Sequence, residues 1–140
     1  MKIGIDILGG DFAPGAPLEG ACLAYAEIPS QVRLVLIGDQ EQIRSGLAQK
    51  GLDPASFDIV HATDTIGMGE HPVKAFSAKP NSTIATGFRL MKEGKLDAFS
   101  SCGNSGAMLV GSMYTIKAIP GVIRPCITTA FPKESGGFNL

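Results

Sequence analysis

The densest run of groups able to do chemistry is Ser100-Ser101-Cys102-Gly103-Asn104-Ser105-Gly106-Ala107. It follows a short apolar run, Leu96 to Phe99, that reads as a buried strand. It precedes a periodic apolar run, Met108 to Ile119, that reads as a helix stopped by Pro120. A strand, a Gly-Asn-Ser-Gly turn and a helix aim unpaired backbone N–H groups and the positive end of a helix dipole at one point. An anion fits such a point, and phosphate fits it best. Gly103 and Gly106 let backbone come close to a ligand, while Asn104 and Ser105 offer side-chain hydrogen bonds or cap the helix. An ordinary capped strand–helix turn has the same pattern.

Other candidates stand at or just after the ends of apolar runs, which is where ligands bind in parallel sheets. Asp6, Gly9, Gly10 and Asp11 follow the first such run. Asp6 can orient a base or a lysine, or simply satisfy turn N–H groups; Asp11 can do the same or cap a helix. His71, just before Pro72, suits a general acid or a phosphate ligand, and equally a solvated loop histidine. Lys74 and Lys79 are able to neutralise an anion or to be surface lysines. Cys102 invites a nucleophile reading because a helix N-terminus favours a thiolate, although no histidine adjoins it in sequence. His61, closing a strand-like run, reads as structural. Gly67-Met68-Gly69 has Pro72 where a dinucleotide fingerprint needs glycine, and no phosphate-loop signature with Gly-Lys-Ser/Thr occurs.

The elements that must position these residues alternate. Strands are expected at Lys2–Ile7, Val32–Ile37, Phe57–His61, Leu96–Ser100 and Pro125–Phe131. Helices are expected at Leu18–Ile28, Glu41–Gln49, Val73–Ala78, Ser82–Lys92 and from Met108, with Asp39 as a cap and Gly94 as a terminating glycine. Ala62 to Glu70 reads as irregular. Strands alternating with helices predict an α/β fold with a mostly parallel sheet covered on both faces. Gly136 to Leu140 reads as a turn and the first residues of another strand, so the chain reads as one α/β domain, residues 1–140, cut from a longer protein.

Composition agrees with a folded domain: 44% hydrophobic and 18% charged residues are globular proportions. With 12 basic and 13 acidic residues, few aromatics and no tryptophan, no nucleic-acid partner is implied. Cys22, Cys102 and Cys126 give neither a disulfide framework nor metal-ligand spacing. The N-terminus lacks a signal-peptide pattern, and no run approaches the roughly 20 apolar residues of a membrane span. A cytoplasmic protein is expected.

Together, Asp6-Ile7-Leu8-Gly9-Gly10-Asp11 with Pro14, and Ser101-Cys102-Gly103-Asn104-Ser105-Gly106-Ala107, resemble the bacterial phosphate acyltransferase (PlsX) family. The resemblance continues through His71-Pro72-Val73-Lys74-Ala75, Lys79-Pro80-Asn81-Ser82, Lys92-Glu93-Gly94 and Gly121-Val122-Ile123-Arg124-Pro125. It implies a three-layer α/β/α sandwich like those of isocitrate and isopropylmalate dehydrogenases and phosphotransacetylase. It also implies conversion of an acyl carrier protein thioester and inorganic phosphate to acyl phosphate for phospholipid synthesis. A homodimer, no metal or organic cofactor, and at most peripheral membrane contact are further implications. On this reading Asn104, Ser105, Asp11 and His71 are catalytic, and Gly103, Gly106, Gly9, Gly10, Asp6, Lys74 and Lys79 bind phosphate or the oxyanion. Two departures stand out. The family commonly has a small apolar residue at the place of Cys102, which argues against that thiol as nucleophile, and threonine at the place of Ser105. Members are also more than twice as long, with a later Gly-Ala-Asn turn at the active site. Two alternatives stay open: a phosphotransacetylase-like enzyme using coenzyme A thioesters, and a phosphate-binding piece that turns nothing over.

Overall fold

The structure, a computed structural model, describes residues 1–139; Leu140, the end of the expected last strand, lies outside the described residues. Four parallel strands form the sheet: β1 (Lys2–Asp6), β2 (Arg33–Gly38), β3 (Asp58–His61) and β4 (Ala98–Ser100), in the order β3-β2-β1-β4. The register pairs Ile3 with Leu34 and with Ala98, which places the first strand of the chain at the centre. Alternation then sorts the side chains between two faces.

One face of the sheet packs under α1 (Gly15–Glu27) and α2 (Gln40–Gln49), joining Ile7, Leu34, Leu36, Leu18, Ile43 and Leu47 in one apolar cluster. The opposite face sends Val35 and Ile37 against Leu90 of α4 (Thr83–Lys92). Alongside α4 lie α3 (Pro72–Ala78) and α5 (Ser105–Gly111), where Ala75, Ile84, Phe88 and Ala107 close a second cluster over Phe99. Phe88 meets Phe99 edge to face at 5.5 Å between centroids, a favoured aromatic geometry. The result is the expected α/β/α sandwich.

Local chemistry explains the helix starts. Asp39 accepts from the Gln42 N–H at 2.8 Å, and Ser82 accepts from the Ala85 N–H at 3.3 Å, each satisfying an orphan donor of a first turn. Gly94 follows α4 at φ +68°, the left-handed position a helix terminator adopts.

Two expectations are corrected. The helix from Met108 starts earlier, at Ser105, is α-helical only to Gly111, and continues as a π-helical turn over Ser112–Ile116. It ends at Lys117, with φ 75°, well before Pro120. The parallel strand expected at Pro125–Phe131 is absent. Phe131–Pro132 instead pairs antiparallel with Phe138–Asn139 as a two-residue ribbon, β5 and β6. Residues 125–131 are exposed throughout; their β-rich composition finds no neighbouring strand, and pairing decides strand formation more than propensity does.

Candidate functional site

Three loops meet at the carboxyl ends of the strands: β1–α1, the segment from β3 to α3, and β4–α5. Their junction is organised by Asp6, the last residue of β1, which is 1% exposed. Its Oδ1 accepts from the Leu8 N–H at 3.0 Å, and its Oδ2 accepts from the Ser101 hydroxyl at 2.7 Å. The Ser101 oxygen accepts in turn from the Gly103 N–H at 3.0 Å. A relay of three groups therefore ties the first loop to the last. Burial raises the Asp6 carboxyl above its ordinary range, while the Ser101 and Thr83 hydroxyls and the Leu8 and Gly9 N–H groups pull it back.

The loops touch closely enough to exclude side chains. A Cβ at Gly9 would overlap the Asp6 carboxylate and approach Ser101 Oγ to 2.7 Å. Gly10, at φ +106°, turns the chain beneath the Cys102 carbonyl, a conformation that L side chains rarely adopt.

Asn104 is the second organiser. Its Oδ1 accepts from the Ala107 N–H at 2.9 Å, capping α5. Its Nδ2 donates to the carbonyls of Gly67, Met68 and Glu70 at 3.0, 3.4 and 3.2 Å. The same loop is clamped from below. Glu70 Oε1 accepts from the Gly67 N–H at 2.7 Å and pairs with Lys79 Nζ at 2.6 Å, and Lys79 also donates to the Thr65 carbonyl at 2.8 Å. Lys79 thereby holds the Glu70 carboxyl below its usual range. Against this loop, Gly106 lies so near the Pro72 ring that a Cβ there would stand 2.9 Å from Pro72 Cγ.

The expected site residues thus fall into three groups. Asp6, Gly9, Gly10, Gly103, Asn104 and Gly106 come together at the junction of the loops, and the N–H groups of Ser105 and Gly106 meet no acceptor among the described residues. Ser105 and Asp11 are exposed beside them, and His71 and Lys74 are exposed at the start of α3. Lys79 is part of the loop clamp, with its ammonium facing Glu70. The N-cap of α1 is Pro14, so Asp11 caps no helix. His61 accepts from the Gln40 N–H at 3.2 Å through Nδ1, a tie at the start of α2. Cys102 is a free, exposed thiol. Among the described residues no three His, Cys, Asp or Glu side chains gather as metal ligands, and no helix is long and apolar enough to cross a membrane.

Sequence reasoning assigned no role to Ser101, Thr83 or Glu70. Ser101 and Gly103 have serine–glycine spacing that favours a side-chain-to-backbone turn. Gly67 and Glu70 have the three-residue reach by which a carboxylate returns to an N–H, as in a capping box.

The family model described as fatty acid synthesis protein matches residues 1–140, the whole chain. A phosphate acyltransferase of Herpetosiphon aurantiacus is 40% identical over 136 residues, covering 97% of this chain and 36% of its own length. One from Clostridioides difficile is 39% identical over 140 residues, covering 100% of this chain and 41% of its own. A third, from Endomicrobium trichonymphae, is 40% identical over 141 residues, with 97% and 41% covered. The chain spans about two fifths of the length of the relatives it matches. With the family model matched from end to end, this chain belongs to the phosphate acyltransferase (PlsX) family.

Proposed function

We propose that this chain supplies the phosphate-facing part of an enzyme that moves an acyl group from an acyl carrier protein thioester to inorganic phosphate. The observation that carries this reading is the family match along all 140 residues. The loop junction at the sheet's carboxyl edge supports it. A phosphate oxygen attacks the thioester carbonyl carbon, the C–S bond breaks, and the products are acyl phosphate and a thiol. Phosphate brings its own charge and nucleophilic oxygen, so the protein's task is to hold it in line and stabilise the oxyanion.

In this proposal the N–H groups of Ser105 and Gly106 and the Ser105 hydroxyl face the anion beside Gly103, whose own N–H is held by Ser101, and Lys74 adds charge. His71 gives the leaving thiolate its proton, and Asp11 orients the phosphate. Asp6, Gly9 and Gly10 shape the facing loop. Asn104 acts through its hold on the 67–70 loop, and Lys79 steadies that loop from the other side. Acyl phosphate made by a cytoplasmic homodimer, at most peripheral to the membrane, then enters phospholipid synthesis.

The test is phosphate-dependent formation of acyl hydroxamate, with hydroxylamine trapping the product. It is run with this chain alone and with this chain grafted in place of the matched segment of the Clostridioides relative. Turnover is expected with acyl carrier protein thioesters in preference to coenzyme A thioesters. A graft with no phosphate-dependent product, beside an active parent enzyme, overturns the reading.

A further inference from the structure

Ser101 stands one residue past the end of β4 and two before Gly103, the spacing at which a serine hydroxyl turns back onto the backbone. A serine hydroxyl has one proton to give and two lone pairs. Here the proton goes to Asp6 Oδ2 at 2.7 Å, and a lone pair takes the Gly103 N–H at 3.0 Å. Nothing is left to donate to an anion, so Ser101 is not a phosphate ligand. Its oxygen instead fills the gap between two glycines, one from each loop: a Cβ would stand 2.7 Å from it at Gly9 and 3.1 Å from it at Gly103. We propose that Ser101 is a positioning residue for phosphate binding, acting through Asp6 to hold the β4–α5 turn at one fixed distance from the β1–α1 loop. The proposal rests on the acyl-transfer reading above, which gives the anion to these two loops.

The two ends of this tie differ in stiffness. Asp6 closes β1, the central strand, which is bonded to β2 on one side and β4 on the other, and its side chain is buried. The turn from Ser101 to Asn104 lies beyond Ser100, the last paired residue of β4, and contains Gly103, whose backbone is conformationally permissive. Ser101 carries the order of the sheet into that turn through two hydrogen bonds. Without the hydroxyl the ligand itself must order the turn, and binding loses what that ordering costs. The thioester's leaving sulfur faces His71 at the start of α3 in the reading above, so its binding depends less on this tie.

Two variants and two readouts test this. Ser101→Ala removes the hydroxyl; Ser101→Cys keeps a group of similar shape with weaker hydrogen bonds. The first readout is the Asp6 carboxyl, followed by carbon NMR against pH in this chain. Of the groups that pull its raised pKa back, the Ser101 hydroxyl is the largest, ahead of the Thr83 hydroxyl and the Leu8 and Gly9 N–H groups. Ser101→Ala is therefore expected to move the Asp6 titration to higher pH, with Ser101→Cys between it and the parent. The second readout is the kinetics of the grafted enzyme, with inorganic phosphate as the varied substrate. Ser101→Ala is expected to raise the KM for phosphate roughly five- to tenfold, the worth of one hydrogen bond. The KM for the thioester and kcat at saturating phosphate are expected to stay within about twofold, and Ser101→Cys to recover part of the loss. If Ser101→Ala does not fold, Ser101→Cys carries both readouts. An unmoved Asp6 titration overturns the proposal, and so does an unchanged phosphate KM. Equal rises in both KM values also overturn it, since they report general loosening. An unmutated graft without acyl transfer removes the functional reading, and the role in phosphate binding with it; an active graft whose phosphate KM ignores Ser101 removes the positioning role alone.

Discussion

Asp6 spends its acceptors on two loops at once, so its removal is felt on both sides of the site. Asp6→Ala leaves the Leu8 N–H and the Ser101 hydroxyl without their partner in a buried setting, at a cost of about 2–4 kcal/mol, readable by urea unfolding. The pH dependence has a definite sign. Because burial raises its folded-state pKa, the folded state binds the proton more tightly than the unfolded chain. Asp6 therefore favours folding below its ordinary value of 3.8, and this contribution is lost as pH rises through the raised folded value. The wild-type midpoint should gain on that of Asp6→Asn as pH falls from about 7 toward about 4; a constant gap would refute it. Asn104→Ala removes a helix cap and the anchor of three carbonyls. A loss of about 2–3 kcal/mol is expected, with faster amide exchange in residues 65–70. Asp6 and Asn104 were legible in the sequence as polar residues at strand ends. Their partners were not: Ser101 is 95 residues from Asp6, and spacing arguments reach only a few residues along the chain.

At the scale of elements, what could be read was what local chemistry decides. Asp39, Ser82 and Asn104 announce helix starts because a short acceptor satisfies an orphan N–H within three residues. The run Ile127-Thr128-Thr129-Ala130-Phe131 misleads because β-branched residues describe a strand's preferences and not its partner. Helix-to-sheet distance was likewise hidden: Gly87 of α4 lies directly over the Phe99 ring, where a Cβ would overlap ring carbons. Gly87→Ala gains helix propensity, yet it is expected to destabilise by about 1–3 kcal/mol through overpacking, measured as a lower urea midpoint at unchanged m-value.

For the whole molecule, Lys2 and Arg33 both pair with Asp58, at 2.8 and 3.0 Å, fastening the starts of the three adjacent strands β1, β2 and β3. The groups are partly exposed, so the network is worth about 1 kcal/mol or less and weakens with salt. The Lys2 and Arg33 partners hold the Asp58 carboxyl below 3.8, so its contribution is present above that value and fades as pH drops through the lowered one. The stability gap to Asp58→Asn should close on acidification, opposite in sign to Asp6. Residues 117–138 are exposed and carry Lys117, Arg124 and Lys133; brief trypsin treatment should cut there first and leave a core ending near Lys117. The strand order has a further consequence, in time. The central strand β1 is made first and its neighbour β4 some 95 residues later. At about 5–20 residues per second of synthesis, Asp6 waits roughly 5–20 s for Ser101 to exist. The loop junction therefore closes only after β1, β2 and β3 have all been made. Until then the newborn chain has the apolar layer between β1, β2, α1 and α2 but not the junction of its loops.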